Sequence, residues 1–383
     1  MKRLILALML VLPLAAYTDE PTRLAKPLRF VPADSVALYD FYWSAFADSA
    51  RKFFPEAKPY TIEAQRMSDK KWAKALEEWK KFVSDSINLV GGTGDEEREL
   101  QTFSAINTIH STAPLYLASG DAHYFEAIDY ALQNGVRGGL SHSDPPQARM
   151  AAAVEALSAT GYFAATSDSA LYLNLFAECE FTARVGKRDV HVEMHASYPW
   201  TGLIKAKINV LSEDKRLKIY VRIPEWASGK VLMSERYETM PARYRSMISV
   251  GDIQQRMKIK NGYVLVEREW TEDDNVLVIE YAMPVHHIRS KADTSKLAIK
   301  RGPLVYAFTA PTAGKSYDPT STIRFIFDNK VRQSFILHGT FSNPNSSHPN
   351  PSEKATTPFQ MAPYYVMHEE SPKRVQVFVH SGN

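Results

Sequence analysis

The sequence predicts a multidomain protein that is helical first and antiparallel β afterwards. From about Ser68 to Thr166 the apolar residues recur at helical spacing. From about Leu171 onward they alternate, or run in short blocks of β-branched and aromatic residues. With 383 residues, 45% of them hydrophobic and 23% charged, the chain can bury a sizeable core divided among two or three domains.

In the first helix Trp72, Leu76, Trp79, Val83 and Ile87 fall on one stripe, with Lys70, Lys74, Glu78 and Lys81 opposite, which suits a helix packed on one side. A second helix is expected from Thr102 to Ala118. A third starts after the N-cap Asp121 and is expected to stop at Gly135, and a fourth spans Ala148 to Gly161 behind Pro145 and Pro146. Such short connections predict antiparallel hairpins. The β half carries LYLNLF, VHVEMHASYPW, LIKAKINVL, RLKIYVRIPEW, GYVLVEREW and NVLVIEYAM, spaced by turn residues as in a sandwich. Alternation predicts Leu217, Ile219, Val221 and Ile223 inside and Lys218, Tyr220 and Arg222 in water. A last β segment, Gly302 to Val379, is interrupted by a polar loop from Ser342 to Thr357.

Composition narrows the function. Lys and Arg total 46 against 43 Asp and Glu, a balance too even to build the positive field that nucleic acid requires. The single cysteine, Cys179, rules out an intramolecular disulfide and any site needing several thiolates. Lys2 and Arg3, the apolar run Leu4 to Leu14, and Ala15 with Ala16 follow the pattern of a secretory signal over residues 1–16. The expected location is therefore periplasmic or extracellular, with no membrane attachment after signal removal.

Several clusters could carry chemistry. His191, Glu193 and His195 in HVEMH share a strand face, but the outer two start roughly 13 Å apart at about 3.3 Å per residue, so a polar strand face is expected rather than one metal site. The neighbours His286 and His287 should face opposite ways. The loop GGTGD, with Gly91, Gly92 and Gly94, is followed by acidic residues and not by the Lys-Ser or Lys-Thr of a phosphate cradle. Asp95, Glu96, Glu97 and Glu99, with Asp129 and Asp144, either converge as an acid and base or nucleophile for glycosidic cleavage or remain solvated surface charges. Trp200, Trp226 and Trp270 are candidates for a sugar platform or for the core.

Five strings in order, YPWTG from Tyr198, RIPEW from Arg222, GYVLVEREW from Gly262, RGPLVYAF from Arg301 and APYYVM from Ala362, resemble the C-terminal sandwich region of glycoside hydrolase family 127, which includes β-L-arabinofuranosidases. The likeness extends upstream through Thr160 to Phe176 and Leu117 to Val136. It takes in LRFVPADSVALYDFYW, Leu28 to Trp43, as an N-terminal entry strand. The resemblance implies an incomplete (α/α)6-barrel-type helical domain followed by antiparallel β-sandwich domains. The expected boundaries are 28–43 for the entry segment, 60–166 for the truncated helical domain, 167–300 for the sandwich and 301–383 for a C-terminal β domain. Only Pro59 to Ile87 occupies the space where family members carry several helical hairpins, and the open edge of such an unfinished ring would favour a homo-oligomer.

The resemblance also places the chemistry. The family's acid/base and a zinc-ligand cysteine sit in a Glu-Thr-Cys motif, which falls on Gln101, Thr102 and Phe103. Its paired cysteines, one of them the nucleophile, fall on Ser143 and Asp144. Glu96 or Glu97 stands nearest to the remaining glutamate ligand, and Asp129 matches an acidic residue of the substrate pocket. A zinc-activated thiolate needs cysteine sulfur, Gln101 cannot shuttle a proton, and Phe103 has no lone pair. Loss of general acid/base help alone costs about 10² to 10⁴ in rate. The expectation is thus a carbohydrate partner with arabinofuranose units, no zinc or other cofactor, and impaired or lost catalysis. The alternative is a non-catalytic carbohydrate-binding or structural remnant of the family.

Overall fold

A computed structural model describes residues 23–39, 41–63, 67–97, 100–140, 144–228, 234–239, 245–272, 275–309, 316–317, 319, 322–328, 334–342, 356–370 and 375–381. The expected signal segment, Glu99, Ser143 and residues 343–355 of the polar loop lie outside the described residues.

Helix α1 spans Phe41–Phe53, α2 Asp69–Asp85, α3 Thr102–Ser119, α4 Ala122–Tyr130 and α5 Pro146–Ser158. The amphipathic pattern of α2 buries Trp72, Leu76, Trp79 and Val83, and Ser68 caps its start through the Lys71 amide. Helix α3 is central: it packs on α2, α4 and α5, and α5 packs in turn on α1. It ends where Gly120 adopts a left-handed conformation, φ 65°, that a glycine takes without strain. Helix α1 lies outside the helical stretch expected from periodicity. The entry segment is two short strands, Arg29–Phe30 and Val36–Leu38, and the helix follows them at once.

Gly135, expected to stop the third helix, does not stop it. After α4 the chain continues as a π-helical turn, Ala131–Val136. A side chain at Gly135 would stand 2.6 Å from the Cβ of Ala105 and 3.1 Å from the Val90 carbonyl, so the glycine allows close approach of α3 and the GGTG loop rather than a break.

The β half begins with two sheets. One orders Arg29–Phe30, Ala164–Thr166, Ala170–Leu173, Arg216–Arg222, Tyr263–Glu269 and Ile259–Lys260; the other runs from Ile253–Gln254 through Met247–Val250, Val276–Glu280, Leu203–Val210, Arg188–Ala196 and Cys179–Val185 to Val36–Leu38. The entry segment therefore supplies an edge strand to each sheet. In the C-terminal part, Lys296–Arg301 pairs with Leu304–Phe308, which pairs with Thr356–Pro363, then Ser334–Ser342, Ser316–Tyr317, Val379–Ser381 and back to Lys296–Arg301. These pairings close on themselves as a small barrel with Leu337, Phe341, Phe359 and Met361 buried.

Between the helical layer and the first sheet lies a fully buried charge. Alternation assigns Arg222 to the wet face, and the structure buries it completely, because α4 covers the end of its strand. Its guanidinium donates to Glu126 at 2.7 Å and 3.1 Å and to Asp129 at 3.0 Å, and rests 4.8 Å from the Phe125 ring centre. Burial, helped by the nearby Glu225 and Asp129 carboxylates, lifts the Glu126 carboxyl to about 7 against the downward pull of Arg222. Beside this pair, Lys300 is buried 3.2 Å from the centre of the Tyr130 ring, and burial drives its amine down to about 7. Tyr263 completes the seam by donating to the side-chain Oδ1 of Asn174 at 2.7 Å, and Tyr116 donates to the same atom at 3.0 Å.

Replacing Arg222 by Met leaves two buried carboxylates without their counter-ion. Denaturant unfolding of Arg222→Met should show a loss of about 3–5 kcal/mol; a variant as stable as the parent would contradict this account of the seam. His123 at the start of α4 is 2.7 Å from Glu225. Burial pulls its pKa down, but the Glu225 carboxylate outweighs burial and leaves it above 6.5. A histidine raised on folding stabilises fully below its unfolded value, and that contribution disappears as pH rises through the folded one. The stability gap between the parent and His123→Gln should therefore be wider at pH 6 than at pH 9 in parallel urea titrations.

Candidate functional site

The segment Asn88 to Glu97 folds as a tight loop because its polar groups are satisfied locally. The Asn88 Oδ1 accepts the amides of Val90 (3.2 Å) and Gly92 (3.0 Å), and its Nδ2 donates to Gln101 Oε1 at 2.7 Å. Gln101 Nε2 donates to the Asp95 carbonyl at 3.2 Å, and the Thr93 amide donates to Ser104 Oγ at 3.2 Å. Gly91 and Gly94 take φ values of 80° and 81°, and a Cβ on Gly91 would lie 2.3 Å from the Ala131 amide nitrogen. The glycines press the loop onto the π-helical turn.

This loop presents its acidic residues to a cleft of about 750 Å³, whose other walls are Arg236, Tyr237, Lys291, Asp293, Lys296 and Phe378. Glu96 is buried and accepts the Tyr237 hydroxyl at 2.7 Å. Burial raises its carboxyl above the ordinary value, and the tyrosine offsets part of that rise. Glu97 instead faces the C-terminal segment and accepts the amides of Val377 (2.8 Å) and Phe378 (2.9 Å). Tyr237 stacks on Phe378 at 6.3 Å. The cleft is thus mixed in charge, has aromatic groups in its wall, and is built jointly by the helical layer and the C-terminal barrel.

The residues singled out from the sequence separate into distinct places. Gln101 is buried at the start of α3 and serves the loop, Thr102 is buried, and Phe103 is 47% exposed. Asp144, 7% exposed, lies just before Pro145 at the start of α5. Burial chiefly raises the Tyr364 hydroxyl in helix α6, Tyr364–Glu370, and the charges of Glu96 and Asp144 add to that rise. Asp129 is not in this cleft: it is 1% exposed and held by Arg222. Reading the sequence for chemistry missed Tyr237 and Arg236, which lie in a short polar stretch with no periodic signal.

The other candidates are structural. Trp226 and Trp270 are buried in the core, while half-buried Trp200 packs edge-on against Tyr42 at 5.3 Å. His195 lies between Glu178 (2.6 Å) and Glu193 (3.2 Å) on an outer strand face, and hydrogen bonding to Glu178 raises its pKa. His286 is buried opposite Lys300, whereas His287 is 2.7 Å from the Tyr317 hydroxyl.

The residues present do not fit a zinc–thiolate centre. Cys179 is buried in a sandwich strand paired with Met194, and the motif positions near the loop offer an amide, a hydroxyl and a phenyl ring. Among the described residues no three His, Cys, Asp or Glu side chains are grouped to hold a metal ion. Gln101→Ala would strip Asn88 of its buried acceptor, and thermal or chemical unfolding should report a loss of about 1–3 kcal/mol. No loss would mean that the amide is not what holds the loop.

Comparison with known proteins follows the same outline. Residues 170–283 match the family described as beta-L-arabinofuranosidase, GH127 middle domain, and residues 283–380 match the glycoside hydrolase family 127 C-terminal domain. No curated protein matches by sequence. Among solved structures, a GH127 β-arabinofuranosidase superposes with a TM-score of 0.72 at 20% identity, covering 91% of this chain and 60% of its own. A GH127 β-L-arabinofuranosidase from Geobacillus stearothermophilus T6 gives 0.67 at 17% identity, with 91% and 61% covered. A third, described as a glycoside hydrolase, gives 0.69 at 16%, with 89% and 65% covered. The chain therefore spans less than two thirds of the length of each of these structures. With both β regions matched over most of the second half and the fold shared across the helical layer, the chain belongs to glycoside hydrolase family 127.

Proposed function

We propose that this chain is an exported glycan-binding protein of family 127, taking arabinofuranose-containing glycans in the cleft beside Asp95 and Glu96, with the family's zinc–thiolate hydrolysis lost. One observation carries the reading. The Gln101 amide, at the position matched to the family's acid/base, is committed at both ends to holding the GGTG loop, by Asn88 at 2.7 Å and the Asp95 carbonyl at 3.2 Å. A group bound in that way neither donates a proton to a leaving oxygen nor activates water. The cleft nevertheless keeps what a sugar needs: carboxylate and hydroxyl groups for its hydroxyls and aromatic rings in the wall.

A second reading, a rebuilt glycosidase, is favoured by the burial of two carboxyl side chains, Glu96 and Asp144, and by the rise that burial gives the Glu96 carboxyl, which suits a general acid. Calorimetry with arabinan oligosaccharides, release from a chromogenic arabinofuranoside, and metal analysis of the purified protein separate the two. Binding with neither release nor stoichiometric zinc is expected. Release that a chelator abolishes would overturn the proposal, whereas chelator-resistant release lost in Asp144→Asn would select the rebuilt acid pair.

A further inference from the structure

The C-terminal barrel carries a second concavity, of about 680 Å³, on its outer face and away from the loop cleft. Three adjacent strands build it. In the pairing of Arg324–Asp328 with Ser334–Ser342, Arg324 stands opposite His338; in the next pairing His338 stands opposite Gln360. Directly opposed residues of antiparallel strands share a face, so a guanidinium, an imidazole and a carboxamide form one row across two strand spacings, about 10 Å. Thr340, two residues along from His338, adds a hydroxyl to the same face, and Thr309, whose own hydroxyl donates to the Gln360 carbonyl at 3.2 Å, closes the rim. Phe359, on the alternate face, is buried in the barrel and keeps the floor rigid.

The three polar side chains of the row are uncommitted. Among the described residues, none of the Arg324 guanidinium, the His338 ring and the Gln360 carboxamide makes a hydrogen bond or ion pair with another side chain. Among the described residues no carboxylate lines the concavity. A row of donors with a cationic end, unopposed by negative charge, is complementary to an anionic oxygen ligand. The planar fork of arginine is suited to a carboxylate in particular. The amide and hydroxyl groups beside it match the neutral hydroxyls of a sugar ring.

We propose that this face of the C-terminal barrel is a binding site for an acidic glycan, in which the Arg324 guanidinium receives the carboxylate of a uronic acid unit while His338, Gln360 and Thr340 contact its hydroxyls. The site is separate from the loop cleft, and its ligand class differs from the neutral arabinofuranose glycans proposed there.

Isothermal titration of the full chain with trigalacturonate tests it, alongside the trimethyl ester of the same oligosaccharide and a neutral arabinotriose. The free acid should bind, and the ester should bind about tenfold more weakly because the charge-assisted bond is lost. Arg324→Gln should weaken the acid to the level of the ester and leave arabinotriose unchanged. Gln360→Ala should weaken acid and ester together. Arg324 and Gln360 are exposed, so both variants should melt with the parent. No binding of trigalacturonate, equal binding of acid and ester, or an unaffected Arg324→Gln would each overturn the assignment. Failure of arabinotriose to bind would count only against the loop cleft.

Discussion

The fold depends on the burial of Arg222 between α4 and the first sheet of the sandwich. A guanidinium taken out of water is tolerable only where carboxylates and hydrogen bonds replace its hydration. Glu126 and Asp129, one helical turn apart on the same helix, provide the charge, and the Asn174 carbonyl accepts from its third nitrogen at 3.1 Å. This arrangement fixes the register of helix against sheet, because a slip of either element would strand all three charges. The same low-dielectric seam pushes the Glu126 carboxyl up and the Lys300 amine down, whereas surface ion pairs remain screened by solvent.

The loop after Ile87 extends that logic to a second junction. Its backbone is satisfied by Asn88, Gln101 and Ser104, and Glu97 reaches across to two amides of the last strand region. The loop is consequently a joint between the helical layer and the C-terminal barrel, and the cleft exists because three separately encoded segments meet there. Gln101 belongs to that joint, bonded to Asn88 at one end of its amide and to the Asp95 carbonyl at the other.

Much of the architecture is legible in the sequence. The stripe of Trp72, Leu76, Trp79 and Val83 is buried on one side of α2, and the strands alternate over the predicted segments. The errors have physical causes. Gly135 looks like a helix stop, yet its missing side chain allows α3 and the loop to approach the π-helical turn. Arg222 looks solvated, yet its strand end is roofed by α4. Asp129 is the counter-ion of that arginine. Tyr237, Arg236 and the Arg324 row are invisible beforehand, since their significance lies in pairings between distant strands.

The sequence by itself determined the order of helical and β regions, the amphipathic faces, the absence of a thiolate cluster, and a family signature in the β half, because periodicity and residue identity are local properties of the chain. The tertiary structure alone decided which charges are buried, which acidic residues share a cleft, and which strand faces remain open to a ligand. Those outcomes depend on desolvation, and whether a side chain is desolvated is set by elements that lie far away in sequence and arrive only when the chain folds.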